Sequence, residues 1–428
     1  MSAHDDLTFS DLDPHDEAPR ATELITGWIK AATRGFHAPR MDDTARALWL
    51  EGCRADDAVL RGAWPARPVV GPDTVPVATF AAFDKELNVG GGRLLALRMI
   101  TDVTVSPTHR RRGLLRRMMT EDLRDAAARG LPVAALTATE GSIYGRFGFG
   151  AATWHQRVMV DTDARFALRD PLGRGSVELV DPTDAWPVIS AVYAQHLARV
   201  RGAVGRPHDY EPMLTARYDW EERGPDRKMW TAVHLDASGT PDGYVCYGSA
   251  GDVEGRPTLQ VSDLVALTPD AHLRLWRFLA DVDLADQVKH RTALDDPLRW
   301  ALVEPRVVRT TGLGDMLWVR LLDLPTALTA RPWYADGELV LDVDDPLGHI
   351  AGRWRVRTRG GEARVEAAPD DAAPAVRMGA DTLGAAYLGG VSVPTLHAAG
   401  RITGPAEAVE TLAAMADGGP APYCATSF

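Results

Sequence analysis

The sequence predicts a mixed α/β (α+β) protein in which one strand, loop, helix, strand unit occurs twice and a separate α/β domain follows. The first observation is length: 428 residues exceed what a single hydrophobic core usually holds, so several domains are expected. The second is that a period-two apolar pattern leading into a helical pattern occurs in both the N-terminal and the central part of the chain. The third is a change of pattern beyond Pro325, which indicates a third domain.

Composition and charge limit the classes of function. Hydrophobic residues make up 45% and charged residues 25% of the chain, as in globular proteins with a packed core. The net charge of −12 argues against a nucleic-acid partner, which would need a basic surface, and suits a cationic substrate. The three cysteines, Cys53, Cys246 and Cys424, show no CxxC or Cys/His spacing, so we expect no metal site.

The N-terminus and the distribution of apolar residues bear on location. No run reaches the roughly 18 apolar residues that a membrane helix needs, and the first residues are acidic instead of forming a basic and apolar leader. We therefore expect no membrane span and a cytoplasmic location. Residues 1–18 contain six acidic residues and no lysine or arginine, which predicts a mobile acidic tail.

The first folded domain is expected over residues 19–165. Apolar residues recur at helical spacing on either side of Pro39, which predicts two short helices, and a strand is expected near 77–83. Three glycines at 90–92 then predict a hairpin turn before the clearest strand pattern in the chain. The apolar residues of that strand are expected on one face: Leu95, Leu97, Met99, Val103 and Val105.

A helix and a second strand follow this strand. Pro107 ends the strand, and apolar residues from Leu114 to Leu123 fall at helical spacing until Gly130 ends the helix. The apolar run 131–138 predicts a short strand buried on both faces. The resulting unit is strand, loop, helix, strand.

A second copy of this unit is expected in a domain over residues 166–325. The run Val261-Ser262-Asp263-Leu264-Val265-Ala266-Leu267-Thr268-Pro269 parallels Ile100-Thr101-Asp102-Val103-Thr104-Val105-Ser106-Pro107. Both runs carry an aspartate, end at a proline and lead into a helix pattern, which predicts a duplicated fold. Chance similarity between two buried strands is the alternative. The second copy has no glycine and no basic triplet where its helix begins, so we expect no phosphate site there.

The third domain is expected over residues 326–428. Strand patterns occur near 339–343 and 354–356, and helix patterns follow Asp381. The last residues contain two prolines, so this segment is expected to be extended rather than helical.

The clearest chemical signal is Arg110-Arg111-Arg112-Gly113-Leu114, which lies between the first strand and its helix. The first turn of a helix has free backbone N–H groups and the positive end of the helix dipole, so it can bind a pyrophosphate. Gly113 has no side chain to block the approach, and the arginines add positive charge. Neither a GxxxxGKS/T loop nor a GxGxxG loop with a later acidic residue occurs, which argues against ATP and NAD. A solvated basic turn is the alternative.

This loop, with Pro107 before it and the helix after it, resembles the acyl-CoA loop of GNAT acetyltransferases, whose pattern is Gln/Arg-x-x-Gly-x-Gly/Ala. Leu115 departs from that pattern, but the wider run 103–116 is similar to the enhanced intracellular survival (Eis) family, which also has leucine there. The block ALTATEGSIYGRFGFG at 135–150 resembles the Eis signature at nearly every position. The sequence is therefore identified as a member of the Eis family of GNAT N-acetyltransferases.

The resemblance implies acetyl-CoA as co-substrate, no metal, and a set of residues that bind the cofactor. The main chain of Val103 and Val105 would pair with the pantetheine, and Thr139 would line the cofactor site. The pyrophosphate would be held by Arg110, Arg111, Arg112, Gly113 and Leu114.

Tyr144 is the implied general acid. Acyl transfer releases a CoA thiolate that needs a proton, and a tyrosine hydroxyl can donate one while it is neutral at pH 7. A core tyrosine on a glycine-rich turn is the alternative interpretation.

The residues near the loop include no obvious histidine or glutamate base, and the resemblance implies the C-terminus instead. Chains of the Eis family end in phenylalanine, whose terminal carboxylate enters the active site, and this sequence ends at Phe428. A carboxylate is a weak base unless it is buried, or else it orients the amine or a water molecule. A frayed end is the alternative. Ser427 stands where the family often has an acidic residue.

The resemblance also bears on acceptor and assembly. Phe36 and Trp49 are candidates for lining the acceptor pocket, and Gly35 is the candidate for the place of the family's acidic pocket residue. Direct sequential transfer to primary amines of aminoglycoside-like or polyamine acceptors is implied, as is a homo-hexamer. Transfer to protein lysines, and lipid binding with a vestigial GNAT domain, are the alternatives.

The resemblance implies tandem GNAT folds followed by a third domain. The active GNAT domain would span 19–165 and a degenerate GNAT-like domain 166–325, so that the chain has one CoA site. A domain like sterol carrier proteins would span 326–428, with its C-terminus reaching the active site.

Overall fold

The protein is represented by a computed structural model that describes residues 6–68, 70–173, 175–220, 223–369, 371–373 and 375–428. Among these residues, three β-sheets organise the chain: two of seven strands and one of five. None of the helices within the described ranges has the length and apolarity needed to cross a lipid bilayer.

The elements follow one another in three parts. The first part contains β1 (Leu7–Leu12), α1 (Pro19–Gly35), α2 (Asp43–Ala55), β2 (Val59–Pro65), β3 (Ala78–Asn88), β4 (Leu94–Val105), α3 (Leu114–Ala128), β5 (Val133–Thr137) and β6 (Gly150–Ala151). The middle part contains β7 (Trp154–Asp161), β8 (Gly175–Val180), α4 (Trp186–Arg199), α5 (Tyr210–Leu214), β9 (Trp230–Asp236), β10 (Pro241–Val253), β11 (Arg256–Ala266), α6 (Pro269–Ala280), β12 (Gln287–Thr292), α7 (Leu298–Ala301) and β13 (Val308–Asp315). The last part contains β14 (Leu317–Leu321), α8 (Leu324–Ala330), β15 (Gly337–Asp344), β16 (Gly352–Arg359), β17 (Glu362–Ala367), β18 (Val376–Gly379), α9 (Ala380–Tyr387), α10 (Val393–Ala398), β19 (Ile402–Thr403) and α11 (Ala406–Ala416).

The first sheet has the strand order β1-β2-β3-β4-β5-β14-β6. Its strands β4 and β5 are parallel and α3 connects them, so the predicted strand, loop, helix, strand unit is present. Trp28 of α1 and Trp49 of α2 are buried on one face of the sheet, and Met118 and Leu123 of α3 are buried on the other. Apolar residues at helical spacing thus give α3 one buried side, and Gly130 follows its end with a positive φ of 81°.

A bulge interrupts β4 and corrects one prediction about its faces. Leu97 and Met99 pack in the core beneath α1 and α2, but Val103 and Val105 pack in the core beneath α3. The register with β3 shifts between these two pairs, and Asp102 at the shift has a φ of +51°. The expectation that all five apolar residues share one face is therefore wrong, because one extra residue in a strand reverses the alternation that follows it.

The second sheet repeats the first. Its order is β13-β7-β12-β11-β10-β9-β8, with β11 and β12 parallel and connected by α6. The remaining neighbours are antiparallel. The same arrangement of a parallel pair inside an otherwise antiparallel sheet confirms the predicted duplication.

The two seven-stranded sheets exchange a strand. β7 follows β6 after only Ala152 and Thr153, yet it lies in the second sheet beside β12. β14 follows β13 after Met316, yet it lies in the first sheet between β5 and β6. The chain therefore crosses between the sheets at 152–153 and returns at Met316. The expected domain boundaries after 165 and 325 stay predictions. Apolar strand patterns do not identify the sheet that a strand will join.

The third sheet has the order β17-β16-β15-β18-β19 and carries the remaining helices. The strands expected near 339–343 and 354–356 are β15 and β16, and α9 begins at Ala380, close to the expected Asp381. After α11 the chain has no helix or strand over the described residues 417–428. We call residues 418–428 the terminal segment.

The acidic N-terminus is not a mobile tail from residue 7 onward. Leu7–Leu12 form β1, which pairs antiparallel with β2, while residues 1–5 lie outside the described residues. The ring of Phe9 packs under the guanidinium of Arg117, with 3.7 Å from its carbon to the ring centroid. Asp11 also lies 3.4 Å from Arg61. Asp6 and Asp11 thus have arginine partners in the first domain, Arg112 and Arg61, which composition alone could not reveal.

Candidate active site

The loop cavity, with a volume of 630 Å³, lies where β4 and β5 diverge at the N-terminus of α3. The two strands pair only over Leu97 to Ile100 of β4, so the cavity opens just beyond the last pair. Most of the cofactor residues implied by the sequence line it: Val103, Val105, Arg110, Arg111, Gly113, Leu114 and Thr139, together with Tyr144 and Phe36. These residues are separate in sequence and are brought together by the strand, helix, strand unit.

Arg112 differs from the other arginines of the loop. Its guanidinium forms an ion pair with Asp6, and it does not line the loop cavity. The hydrogen bond from Arg112 is the main reason that the pKa of Asp6 is lowered. The pyrophosphate role implied for Arg112 is therefore not supported by direct contact with the cavity; the side chain instead joins the loop to the segment before β1.

The start of α3 offers backbone donors to an anion. Gly113 is the N-cap and has a φ of +80°, a conformation that favours glycine, and no side chain caps the first turn. A Cβ atom at this position would meet nothing within 4 Å, so glycine is required by conformation and not by space. The free N–H groups and the helix dipole can therefore bind a phosphate, with Arg110 and Arg111 beside them.

Tyr144 lines the loop cavity and belongs to the same core as the buried face of α3. Its side chain is 7% exposed and its ring packs edge-on against Phe149, with the centroids 6.3 Å apart. Burial raises the pKa of Tyr144, and the nearby Glu140 carboxylate raises it further. The hydroxyl is therefore protonated at neutral pH and can act as a donor.

The acidic cavity, with a volume of 380 Å³, lies beside the β4 bulge and is lined in part by Ser427 and Phe428, the last two residues of the terminal segment. Thr101 and Asp102 line this cavity, whereas Val103 to Val105 line the loop cavity, so the two cavities lie next to one another along β4. Three aspartates, Asp56, Asp102 and Asp209, line the acidic cavity together with the C-terminal residue Phe428. Lys85 is 2.6 Å from Asp56 and neutralises part of this charge.

Two of these carboxylates are strongly perturbed. Burial raises the pKa of Asp102 to about 6. Burial, followed by repulsion from Asp56 and Asp102, raises the pKa of Asp209 to about 7. The buried Oδ1 atom of Asp209 has no hydrogen-bond partner among the described residues. An unpaired buried carboxylate oxygen in a cavity is well suited to bind a cation.

The terminal carboxylate is fixed at the end of β5. An oxygen of Phe428 accepts a hydrogen bond of 2.5 Å from the hydroxyl of Thr137. The ring of Phe428 packs edge-on against Phe83, at a centroid distance of 6.4 Å. Thr137 is the last residue of β5 and Thr139 already lines the loop cavity, so the carboxylate lies close to where the two cavities adjoin.

Phe36 and Trp49 meet in a third pocket of 250 Å³, which we call the tryptophan cavity because Trp28, Trp49 and Trp220 line it. Phe36 also lines the loop cavity, and Trp49 also lines the acidic cavity. The tryptophan cavity therefore shares a wall residue with each of the other two cavities. Gly35 lies in the loop cavity instead, where a Cβ would stand 2.5 Å from the Cβ of Thr104. No side chain fits at Gly35 unless Thr104 moves.

The acidity of the site thus comes from residues that sequence reasoning missed. Asp102 carried a signal, since an aspartate inside an apolar strand is unusual and both copies of the unit have one. Asp56 follows α2, and Asp209 comes from the central domain, more than a hundred residues later. Only the packing of the central domain against the first reveals that these side chains share a cavity.

Comparison with known families defines the class of protein. Residues 24–152 match a model described as an acetyltransferase (GNAT) domain, and residues 202–321 match another acetyltransferase (GNAT) domain model. Residues 324–425 match the sterol carrier protein domain. The protein is therefore an N-acetyltransferase with two GNAT domains and a sterol carrier protein domain, which confirms the predicted fold class. GNAT acetyltransferase domains imply acetyl-CoA as the co-substrate.

Individual relatives narrow the class to a family. The N-acetyltransferase Eis of Mycobacterium tuberculosis is 38% identical over 348 residues, covering 80% of this chain and 83% of that protein. An N-acetyltransferase of Streptomyces avermitilis is 35% identical over 433 residues, covering 97% and 96%. The crystal structure of Eis1 from Mycobacterium abscessus superimposes with a TM-score of 0.81 at 26% identity, covering 98% of this chain and all of that one (100%). The chain belongs to the Eis family of N-acetyltransferases.

Proposed function

We propose that the protein transfers the acetyl group of acetyl-CoA directly to a primary amine of a small cationic acceptor, such as an aminoglycoside-like compound or a polyamine. The observation that carries this proposal is the acidic cavity next to the loop cavity. A cavity lined by three aspartates attracts positive charge, and its position beside the thioester site would bring an amine to the acyl carbon.

The loop cavity would hold acetyl-CoA. The backbone N–H groups at Gly113 and Leu114, with Arg110 and Arg111, would bind the pyrophosphate, and the main chain of Val103 and Val105 would pair with the pantetheine. Thr139 would line the other side. Arg112 would act from a distance by keeping the loop attached to Asp6.

The acceptor would bind in the acidic cavity. Asp102 and Asp209 would pair with its ammonium groups, and their raised pKa values mean that each can change protonation near neutral pH. The aromatic side chains of Trp49 and Trp220 would contact the rest of the acceptor.

Proton transfers complete the proposed reaction. The amine nitrogen attacks the thioester carbonyl carbon, and the C–S bond breaks as the amide C–N bond forms. The carboxylate of Phe428 accepts the proton that leaves the nitrogen, directly or through water, and Tyr144 donates a proton to the thiolate. No covalent enzyme intermediate is needed, because both substrates are bound at the same time.

Transfer to protein lysines is the second candidate, since a lysine side chain is also a primary amine. The negative charge of the acidic cavity suits both a small cationic molecule and a single lysine side chain inserted from a protein. Lipid binding with a vestigial GNAT domain fits less well, because the anion-binding start of α3 is intact. The hexamer and the cytoplasmic location stay predictions.

Release of CoA thiol from acetyl-CoA tests the proposal. Purified protein is supplied with aminoglycosides, polyamines, lysine-containing peptides and uncharged amines of matched size, and each product is checked for one added acetyl group by mass. We expect the highest kcat/KM with the cationic small amines. Turnover confined to peptides would favour the lysine alternative, and no turnover with any amine would contradict acetyl transfer.

A further inference from the structure

The central GNAT fold keeps a counterpart of the place where β4 and β5 diverge. Its parallel pair extends only over Thr258–Gln260 of β11, and β11 then carries an extra residue, Ser262, beside Asp263. The start of α6 is capped, because the hydroxyl of Thr268 accepts a hydrogen bond from the N–H of Ala271. The central fold therefore keeps the diverging parallel strands and the bulge. The first turn of its helix α6 is capped by a side chain and is not free to bind an anion as the start of α3 is.

A buried arginine occupies this region. Arg206 forms an ion pair of 2.7 Å with Asp263, and the side chains of both are less than 10% exposed, at 5% and 7%. Its guanidinium carbon lies 3.7 Å from the ring centroid of Tyr193 and 4.6 Å from that of Tyr210. Burial would lower the pKa of Arg206, but the Asp263 carboxylate and the neighbouring Tyr244, Tyr193 and Tyr210 together raise it, so the guanidinium stays charged. The two tyrosine rings are thus packed against a fixed cation.

These tyrosines hold the terminal segment by their hydroxyl groups. The Tyr193 hydroxyl shares a hydrogen bond of 2.7 Å with the hydroxyl of Thr426. The Tyr210 hydroxyl accepts the N–H of Ser427 at 2.9 Å and donates to the carbonyl oxygen of Ser427 at 3.3 Å. One phenol therefore satisfies both backbone groups of the residue that precedes Phe428.

The ends of two corresponding strands also contact the segment. Arg291 of β12 donates to the carbonyl oxygen of Ala425 at 3.1 Å, and Thr137 of β5 donates to Phe428. The two copies of the fold can be aligned by matching Asp263 of β11 with Asp102 of β4. The strand pairings then make Arg291 of β12 equivalent to Thr137 of β5. The terminal segment therefore contacts equivalent positions of the two folds, the end of β12 in the central fold and the end of β5 in the first fold.

We propose that Tyr210 is a positioning residue for acetyl transfer, through which the central GNAT fold holds Ser427 so that the Phe428 carboxylate faces the acidic cavity. The inference rests on the proposed function, in which that carboxylate accepts a proton. Chain ends are ordinarily mobile, and a general base works only at a fixed distance from its proton. A fold without a CoA site of its own would thereby contribute to the reaction.

Tyr210→Phe is the direct test, because it keeps the ring on Arg206 and removes only the hydroxyl bound to Ser427. We expect kcat to fall about tenfold while KM for acetyl-CoA is unchanged, since the loop cavity is intact. Tyr247→Phe is the matched control: this tyrosine is on β10 of the second sheet and packs against Phe278. The control is expected to have wild-type kinetics.

A second measurement reports on the segment without any catalysis. Carboxypeptidase A removes C-terminal aromatic residues, and the release of Phe428 is followed by mass. We expect release to be about tenfold faster in Tyr210→Phe than in wild type or Tyr247→Phe, because loss of the hydroxyl leaves Ser427 less restrained. If Tyr210→Phe does not fold, Thr426→Val loosens the segment at Tyr193 and is expected to give the same two results.

One further variant separates failure of this inference from failure of the proposed function. A glycine added after Phe428 displaces the carboxylate directly. If the added glycine lowers kcat but Tyr210→Phe changes neither kcat nor the release of Phe428, the positioning role is overturned and the proposed function stands. If the added glycine leaves kcat unchanged, the carboxylate is not the base, and both the proposed role of Phe428 and its positioning by Tyr210 are overturned.

Discussion

The hydroxyl of Thr137 donates a hydrogen bond of 2.5 Å to an oxygen of Phe428, 291 residues further along the chain. Thr137 ends the strand β5, and β5 is the strand that diverges from β4 to open the loop cavity. The bond therefore places the C-terminal carboxylate at the end of the first sheet where the loop cavity opens.

Replacing the Phe428 carboxylate by a carboxamide should lower kcat by about 10²-fold, because the amide keeps the shape of the group but cannot accept a proton. The carboxamide can be introduced by ligating the synthetic peptide Cys-Ala-Thr-Ser-Phe, as the acid or as the amide, to residues 1–423. Because residue 424 is already the cysteine that ligation needs, no foreign residue is added. The acid product is the matched control. Equal kcat values for the two products would contradict the proposed base.

Tyr144→Phe should lower kcat by about 10²-fold or more, because the departing thiolate loses its proton donor. Acetyl-CoA binding, measured by calorimetry, should be unchanged, since the ring still packs against Phe149. A variant with wild-type kcat and intact binding would mean that another group protonates the thiolate.

Gly113→Ala should weaken acetyl-CoA binding about tenfold, because alanine at a φ of +80° costs about 1–2 kcal/mol and shifts the start of α3. Gly130→Ala is the control at the other end of α3. Gly130 has a φ of +81° and equally open surroundings, so it should lose similar stability without a change in KM for acetyl-CoA. Equal KM increases in both variants would indicate a general effect on the helix.

The affinity for a cationic acceptor should depend on the charge of Asp209. The pKa of this group is about 7, so its carboxylate is mostly neutral at pH 6 and mostly charged at pH 8. KM for the acceptor should therefore fall as the pH rises through 7, and Asp209→Asn should remove that part of the fall. Asp252→Asn, at an exposed position of β10, is the control. An unchanged pH dependence in Asp209→Asn would show that this group does not bind the acceptor.

The same substitution has an effect on stability with a defined sign. A carboxyl with a raised pKa destabilises the folded state as the pH rises from 3.8 to about 7, because the folded state resists its ionisation. Asp209→Asn should therefore increase the free energy of unfolding by about 1–3 kcal/mol more at pH 8 than at pH 5. Denaturant titrations at the two pH values measure this difference, and an equal change at both would contradict the raised pKa.

Local patterns predicted the local parts of the site. The strand, the loop with Gly113 and the helix are contiguous, so periodicity and helix-start chemistry were enough to identify them. The position of Tyr144 and the role of Phe428 came from resemblance to a family. The bulge at Asp102 could not be predicted from the alternation of apolar residues. That alternation continues past Asp102 in the sequence, and the extra residue only moves the side chains after it to the other face of the sheet.

Tertiary contacts determined what sequence reasoning missed. Arg110, Arg111 and Arg112 are indistinguishable as a triplet, and only the fold turns Arg112 toward Asp6. Asp209 and Tyr210 join the site because the central domain packs against the first. Residues 7–12 pair with β2 as a strand, and Asp11 of this strand lies beside Arg61, a contact that composition does not contain.

The exchanged strand also sets the order in which this protein can be completed during synthesis. β6 ends at Ala151, but β14, which separates it from β5, begins only at Leu317. At about 5–20 residues per second, a ribosome needs on the order of ten seconds to make the chain between them. Until then the active fold has an open edge beside β5. The first GNAT fold is thus finished only after the central fold has been synthesised, so no nascent chain has a complete first sheet without the central fold.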